Sequence, residues 1–159
     1  MKQRDHVIQQ LALHVFELTR RTWFESQREK LKGGYDLSES EFLALDALED
    51  TEAMSVGALR KRVGVLPAQM SRILKALEQR YDEKLVICSI NPDDKRKIDV
   101  SITARGRRAV DAYRRSKIKA SVDAFDSLTD RDLASLSAIL GKIGQALDKA
   151  DARQDAGRT

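Results

Sequence analysis

The sequence predicts a mainly α-helical fold that carries one small β-hairpin, and three observations predict it. Apolar residues recur at three- and four-residue steps over most of the chain, the period of an amphipathic helix. Only between positions 85 and 102 does the period change, ending with Ile98, Val100 and Ile102 alternating with Asp99 and Ser101. Finally, Gly64 and Pro67 separate two short helical patterns as a sharp turn would. With 159 residues there is room for one domain with helical extensions rather than two full cores. A 42% hydrophobic fraction is enough to build that core, and a 34% charged fraction suits long solvated helices.

Each element follows from its own pattern. From Asp5 to about Lys30, Ile8, Leu11, Val15 and Leu18, with Ala12, Phe16 and Trp23 alongside, predict one long helix that Lys32, Gly33 and Gly34 end. Ser38 with Glu41 three residues later reads as a capping box opening a second helix, through Phe42, Leu43, Leu45 and Leu48 to near Asp50. Ser55 caps a third, short helix that buries Val56, Leu59 and Val63 and stops at Gly64, where a residue free to take positive φ suits a turn. Pro67 fits the first position of a fourth helix, whose buried stripe is Met70, Ile73, Leu74 and Leu77 and whose opposite face carries Gln69, Ser71, Arg72 and Lys75. Two strands follow, Leu85 to Ile90 and Ile98 to Ile102. The charged loop between them, Asn91 to Lys97, is too long for a tight turn, and its tip is expected to stand off as a flexible basic finger.

Thr103 caps a fifth helix reaching about Ala124, with Ala109, Val110, Tyr113, Ile118, Val122 and, past its end, Phe125 expected inward. Thr129 with Asp132 opens a sixth, whose stripe of Leu133, Leu136, Ile139, Leu140, Ile143 and Leu147 requires a partner surface. The polar tail, 151–159, is expected to be disordered.

Composition narrows function by exclusion. A single cysteine, Cys88, and only two histidines provide neither a disulfide framework nor a metal-ligand cluster. There is no Gly-rich phosphate loop and no nucleophile elbow, so neither a cofactor nor an enzymatic role is expected. No apolar run reaches the roughly 18 residues of a membrane span, and the polar N-terminus lacks the apolar block of a signal peptide, so a cytoplasmic protein without membrane attachment is expected. Charge is uneven. Positions 54–120 hold 17 Lys or Arg against 7 Asp or Glu, a net +10 in a chain of net +4, which leaves −6 for the flanks. Such a basic block is a solvated face by default, and a phosphate footprint when the fold presents it to a groove.

Helix, sharp turn, helix and a two-stranded hairpin with a basic tip is the order of a winged helix-turn-helix. Its second helix enters the major groove, so Arg72 would pair with a guanine, Gln69 with an adenine, and Ser71 and Lys75 would reach bases or backbone. Lys95, Arg96 and Lys97 at the wing tip are the further DNA candidates, Arg96 suited to a narrow minor groove. Arg60, with Lys61 and Arg62, is open to phosphate contact or to a merely solvated face.

From about Leu37 to Gly106 the chain resembles the MarR family, the multiple antibiotic resistance regulators. The resemblance rests on Leu37-Ser38-Glu39-Ser40-Glu41-Phe42, on Ser55-Val56-Gly57-Ala58-Leu59, and on Met70-Ser71-Arg72-Ile73-Leu74-Lys75-Ala76-Leu77-Glu78. Its most specific part is Asp94-Lys95-Arg96 followed by Ile102-Thr103-Ala104-Arg105-Gly106. It implies that Asp94 orients Arg96 for the minor groove and that the terminal helices, 5–30 and 129–150, intertwine as a homodimer interface. The corresponding division is an N-terminal dimerisation helix at 1–36, a DNA-binding domain at 37–106, C-terminal dimerisation helices at 107–150 and the tail at 151–159. The chain departs from the family at Tyr81-Asp82-Glu83-Lys84, where members commonly have a shorter, glycine-containing link.

The expected function is a sequence-specific transcription regulator, a repressor bound to a pseudo-palindromic operator in double-stranded DNA and released by a small molecule. The resemblance places an effector pocket between the dimer helices and the DNA-binding lobe, where His14, Phe16, Arg20, Trp23, Tyr35 and Tyr113 are candidates. Each of them singly has core packing as its competing role. An anionic aromatic effector would need a cation, from Arg20, Arg114 or Lys117. Cys88 is open to oxidant sensing or to ordinary burial on a strand. Two other classes stay open, an architectural DNA binder without an operator and a helical protein-interaction module.

Overall fold

The structure, a computed structural model, describes residues 2–30 and 35–156. Six helices and three strands follow one another as α1 (Lys2–Lys30), α2 (Glu39–Asp46), β1 (Met54–Ser55), α3 (Val56–Val63), α4 (Pro67–Gln79), β2 (Val86–Ile90), β3 (Ile98–Ile102), α5 (Ala104–Phe125) and α6 (Asp130–Ala156). Two compact units divide the chain, Met1–Lys119 and Ala120–Thr159. None of the described helices is long and apolar enough to cross a membrane.

Local chemistry accounts for the helix starts. The Ser38 hydroxyl accepts the Glu41 N–H while the Glu41 carboxylate accepts the Ser38 N–H at 2.7 Å, a complete capping box. Ser55 caps α3 by accepting from Ala58 N–H, and Gly64 ends that helix in the left-handed region at φ 75°. Thr103 and Thr129 accept N–H groups of the first turns of α5 and α6.

The sheet is antiparallel in the order β1-β3-β2. Val86 faces Ile102, Cys88 faces Val100 and Ile90 faces Ile98, so these side chains share one face of the hairpin, buried at Val86 and Val100 and exposed towards the wing tip at Ile90 and Ile98. Beyond the expected hairpin, Met54 and Ser55 pair with Val100 and Asp99 as a third strand. A two-residue strand is too short to show an alternating pattern, and its second residue is also the cap of α3. The core lies between positions 37 and 113. Leu37, Leu45, Leu48, Leu59, Met70, Leu77, Leu85, Val86, Val100 and Val110 are fully buried there.

Four expectations change. Helix α2 stops at Asp46, and the segment to Asp50 continues as turns through bonds such as Leu48 N–H to Leu45 O. Ile118, Val122 and Phe125, expected inward, are exposed in this chain. A helical period marks an apolar face without telling whether its cover belongs to the same chain. The α6 helix runs past Asp151 to Ala156 because Ala150, Ala152, Arg153, Gln154 and Ala156 are good helix formers with no Gly or Pro among them. The wing tip, finally, is a hydrogen-bonded turn rather than a loose finger, as described below. The Lys32-Gly33-Gly34 terminator lies outside the described residues, as do the tail positions 157–159.

Candidate nucleic-acid interface

The turn between α3 and α4 is built from Gly64, Val65 and Leu66. Gly64 N–H and Val65 N–H both return to Arg60 O, at 3.0 and 3.3 Å, which closes α3 and redirects the chain. Pro67 then opens α4 with its φ already helical and no N–H to leave unsatisfied. Met70, Ile73, Leu74 and Leu77 anchor α4 in the core, which leaves Gln69, Ser71, Arg72 and Lys75 exposed. The Ser71 hydroxyl donates back to Pro67 O at 3.2 Å, so its remaining capacity is as an acceptor. Arg72 and Lys75 line a shallow surface groove with Ala76, Gln79 and Arg80. Arg60 on α3 is half-buried, whereas Lys61 and Arg62 are exposed.

The wing tip is organised by two side chains. Asn91 Oδ1 accepts the Asp93 and Asp94 N–H groups at 2.9 and 2.8 Å, and its amide donates to Asp99 Oδ2 at 2.6 Å. Asp94 Oδ1 accepts both the backbone N–H and the Nε of Arg96, at 3.1 and 3.2 Å, while Lys97 Nζ lies 3.3 Å from Oδ2. The Arg96 N–H, then the Arg96 and Lys97 side chains, hold the Asp94 carboxyl below its ordinary value. The Arg96 side chain is nonetheless 91% exposed, so it is oriented without being consumed. Lys95 is exposed beside it. Arg96, Lys97 and Ile98 also line a cavity with Ser55, Val56 and Gly57, which brings the wing beside the first turn of α3.

One connection between α2 and α4 has no local signature in the sequence. Glu41 is the buried charged residue among the described residues, and besides closing its capping box it accepts from Arg80 Nη2 at 2.5 Å. Arg80 is the C-cap of α4 and also donates to Asp36 O and Tyr81 Oη, both at 3.1 Å. The carboxylate therefore ties the start of α2 to the end of α4, 39 positions away. The unusual Tyr81–Lys84 link is held at both ends. Tyr81 packs against Tyr35 with ring centroids 5.8 Å apart, and Leu85 N–H donates to Leu77 O at 2.9 Å. Arg114 pairs with Asp46 and with Glu49, and Arg107 donates to Glu49 O at 2.8 Å. These contacts link α5 to the end of α2.

The six candidate effector residues do not converge on one cavity. Trp23 and Tyr113 line a cavity of about 290 Å³ together with Thr19, Thr22, Glu39, Phe42, Leu43 and Lys117. Phe42 stacks on Tyr113 at 4.3 Å between centroids, and burial, then the Glu39 charge, pushes the Tyr113 hydroxyl up from its ordinary value. His14 and Phe16 are exposed on α1, Arg20 pairs with Glu17 at 2.9 Å, and Tyr35 packs against Tyr81 under the Arg105 guanidinium. Of the three candidate cations, Lys117 alone lines this cavity, with its Nζ 5.2 Å from the Tyr113 ring centre. Cys88 is half-buried on β2, and burial, then Glu78, pushes its thiol up.

Residues 37–98 match the MarR family model. No curated protein matches the chain in sequence. Among solved structures, the YusO protein of Bacillus subtilis aligns with a TM-score of 0.72 at 20% identity, over 89% of this chain and 97% of its own. A MarR family protein of Bacillus stearothermophilus aligns with a TM-score of 0.74 at 13% identity, over 91% and 97%. BpsR of Bordetella bronchiseptica, whose DNA binding is regulated by 6-hydroxynicotinic acid, aligns at 0.55 and 23% identity, over 82% and 91%. At these identities the likeness carries the fold.

Proposed function

We propose, from the match of residues 37–98 to the MarR family model, that the chain is a sequence-specific repressor that binds a pseudo-palindromic operator as a homodimer and leaves it when a small anionic aromatic molecule binds. The observation that carries DNA recognition is the exposed polar face of α4, with Gln69, Arg72 and Lys75 set opposite its buried stripe. Arg72 hydrogen-bonds a guanine edge and Gln69 an adenine edge in the major groove. Ser71, Lys75 and Arg60 hold phosphates or base edges, and Arg96, turned by Asp94 and flanked by Lys95 and Lys97, enters the minor groove. In a homodimer the two recognition helices meet successive major grooves about one helical turn apart.

The cavity beside Trp23, Phe42 and Tyr113 supports the effector half of the reading. It has aromatic walls and is lined by the cation Lys117 and the carboxylate Glu39, so a planar acid would place its carboxylate at Lys117 and away from Glu39. The acid that regulates BpsR has that chemistry. Such a ligand lowers operator affinity only by as much as it prefers the non-binding conformation. No step in this role requires catalysis or a cofactor.

The test is a selection of bound genomic fragments by the purified protein at near-physiological salt, repeated with Arg72→Ala and Lys75→Ala. We expect one inverted repeat. Arg72→Ala should weaken it by about 10- to 100-fold and relax one base position. Lys75→Ala, if on phosphate, should weaken all duplexes alike and lower the salt slope by about one. Enrichment of no sequence in particular would overturn the regulator reading in favour of a non-specific DNA binder.

A further inference from the structure

The recognition helix begins on a residue that its own stability does not favour. Helices α2, α3, α5 and α6 open on the hydroxyls of Ser38, Ser55, Thr103 and Thr129, each accepting an N–H of the first turn. Helix α4 opens on Leu66, which makes no side-chain cap bond. That position favours Ser, Thr, Asp or Asn. The Leu66 side chain is also 73% exposed, the most exposed large hydrophobic among the described residues. The exposed apolar residues of α1 and α6 run along helix faces at helical spacing, as a covering helix requires, whereas Leu66 stands alone at a turn. Pro67 presets the first helical φ, but the N–H groups of the first turn still lack a side-chain cap, and a local rule broken in this way marks functional positions.

The place of the exception decides what it serves. Leu66 is at the end of the helix that leads into the major groove, and its neighbours Pro67 and Ala68 are exposed and apolar as well. None of the three side chains offers a hydrogen bond to a base edge. The first that does is Gln69. On the floor of the major groove the apolar feature is the C5-methyl of thymine, which apolar side chains contact.

We infer that Leu66, with Ala68 beside it, reads thymine methyl groups at the edge of each half-site, ahead of the bases read by Gln69 and Arg72. The inference rests on the DNA-regulator reading and adds to it the base class met by the helix tip. Burial of one methyl against Leu66 corresponds to about a fourfold gain in affinity per thymine.

The experiment uses the full chain and the duplex recovered by the selection above. Thymines of one half-site are replaced singly by deoxyuridine, which removes the methyl and leaves pairing and both hydrogen-bonding edges intact. One or two adjacent replacements should weaken wild-type binding about fourfold each. Leu66→Ala and Leu66→Ser should bind methylated and unmethylated duplexes equally. Leu66→Ser should in addition raise the melting temperature by restoring a cap, so that stability and methyl discrimination move in opposite directions. A recovered operator with no methyl-sensitive thymine, or a sensitivity that persists unchanged in both variants, would overturn the inference and leave the regulator reading standing. Recovery of no preferred duplex would overturn both.

Discussion

Arg96 and Cys88 show how the surroundings set what a side chain can do. Arg96 keeps nearly all of its surface while Asp94 restrains it through two bonds, so its ordering entropy is lost in folding and not in the DNA contact proposed for it. Family resemblance implies that Asp94 orients Arg96, and in the structure its carboxylate accepts the Arg96 N–H and Nε. Cys88 has the opposite setting. Its thiol is half-buried and held protonated to higher pH than an ordinary cysteine, by burial and then by Glu78. Reactive thiols need the thiolate and an electropositive, accessible site. Cys88 is therefore expected to react with iodoacetamide at pH 7 more slowly than the same thiol in the chain unfolded by denaturant. Equal rates would mean an accessible thiolate and would reopen oxidant sensing.

At the scale of elements, the junction of wing and α5 depends on Gly106. A Cβ there would collide with Leu85 O and lie 2.7 Å from Ile102 Cγ1, so the backbone just before β2 and the end of β3 approach this helix as only glycine permits. Gly106→Ala is expected to destabilise the fold by about 3 kcal/mol in urea denaturation, with the wing displaced. A loss below about 1 kcal/mol would show that the strands can yield. The Ser38–Glu41 capping box was legible in the sequence because both partners lie within four residues. Arg80 as the second partner of Glu41 was not, since that pair exists only when α4 packs against α2. The same limit hid β1, whose two residues find Val100 and Asp99 only in the folded sheet.

For the whole molecule, the unused feature is apolar surface. Leu11, Val15 and Leu18 on α1, and Leu140, Ile143 and Leu147 on α6, follow helical steps and remain exposed by 47–62%. Stripes of this kind on long helices mark surfaces that another chain covers, which supports the proposed homodimer. Ile143→Lys is accordingly expected to convert a dimer into a monomer in sedimentation analysis. Operator affinity should fall about a hundredfold or more as the second recognition helix is lost. A wild-type chain that sediments as a monomer would remove the dimer from the reading.

Periodicity, caps and breakers are local, so the sequence by itself determined the six helices, the hairpin, the turn at Gly64–Pro67 and the polar face of α4. Resemblance to known regulators supplied the wing pair Asp94–Arg96 on the same stretch. What only the tertiary structure decided are relations between distant positions. These include the Glu41–Arg80 tie, the third strand, the cavity that gathers Trp23, Phe42, Tyr113 and Lys117 while leaving His14 and Tyr35 elsewhere, and the exposure of Leu66. The physical reason is that a side chain's partners across dozens of residues depend on packing, and a pattern along one helix carries no information about what stands opposite it.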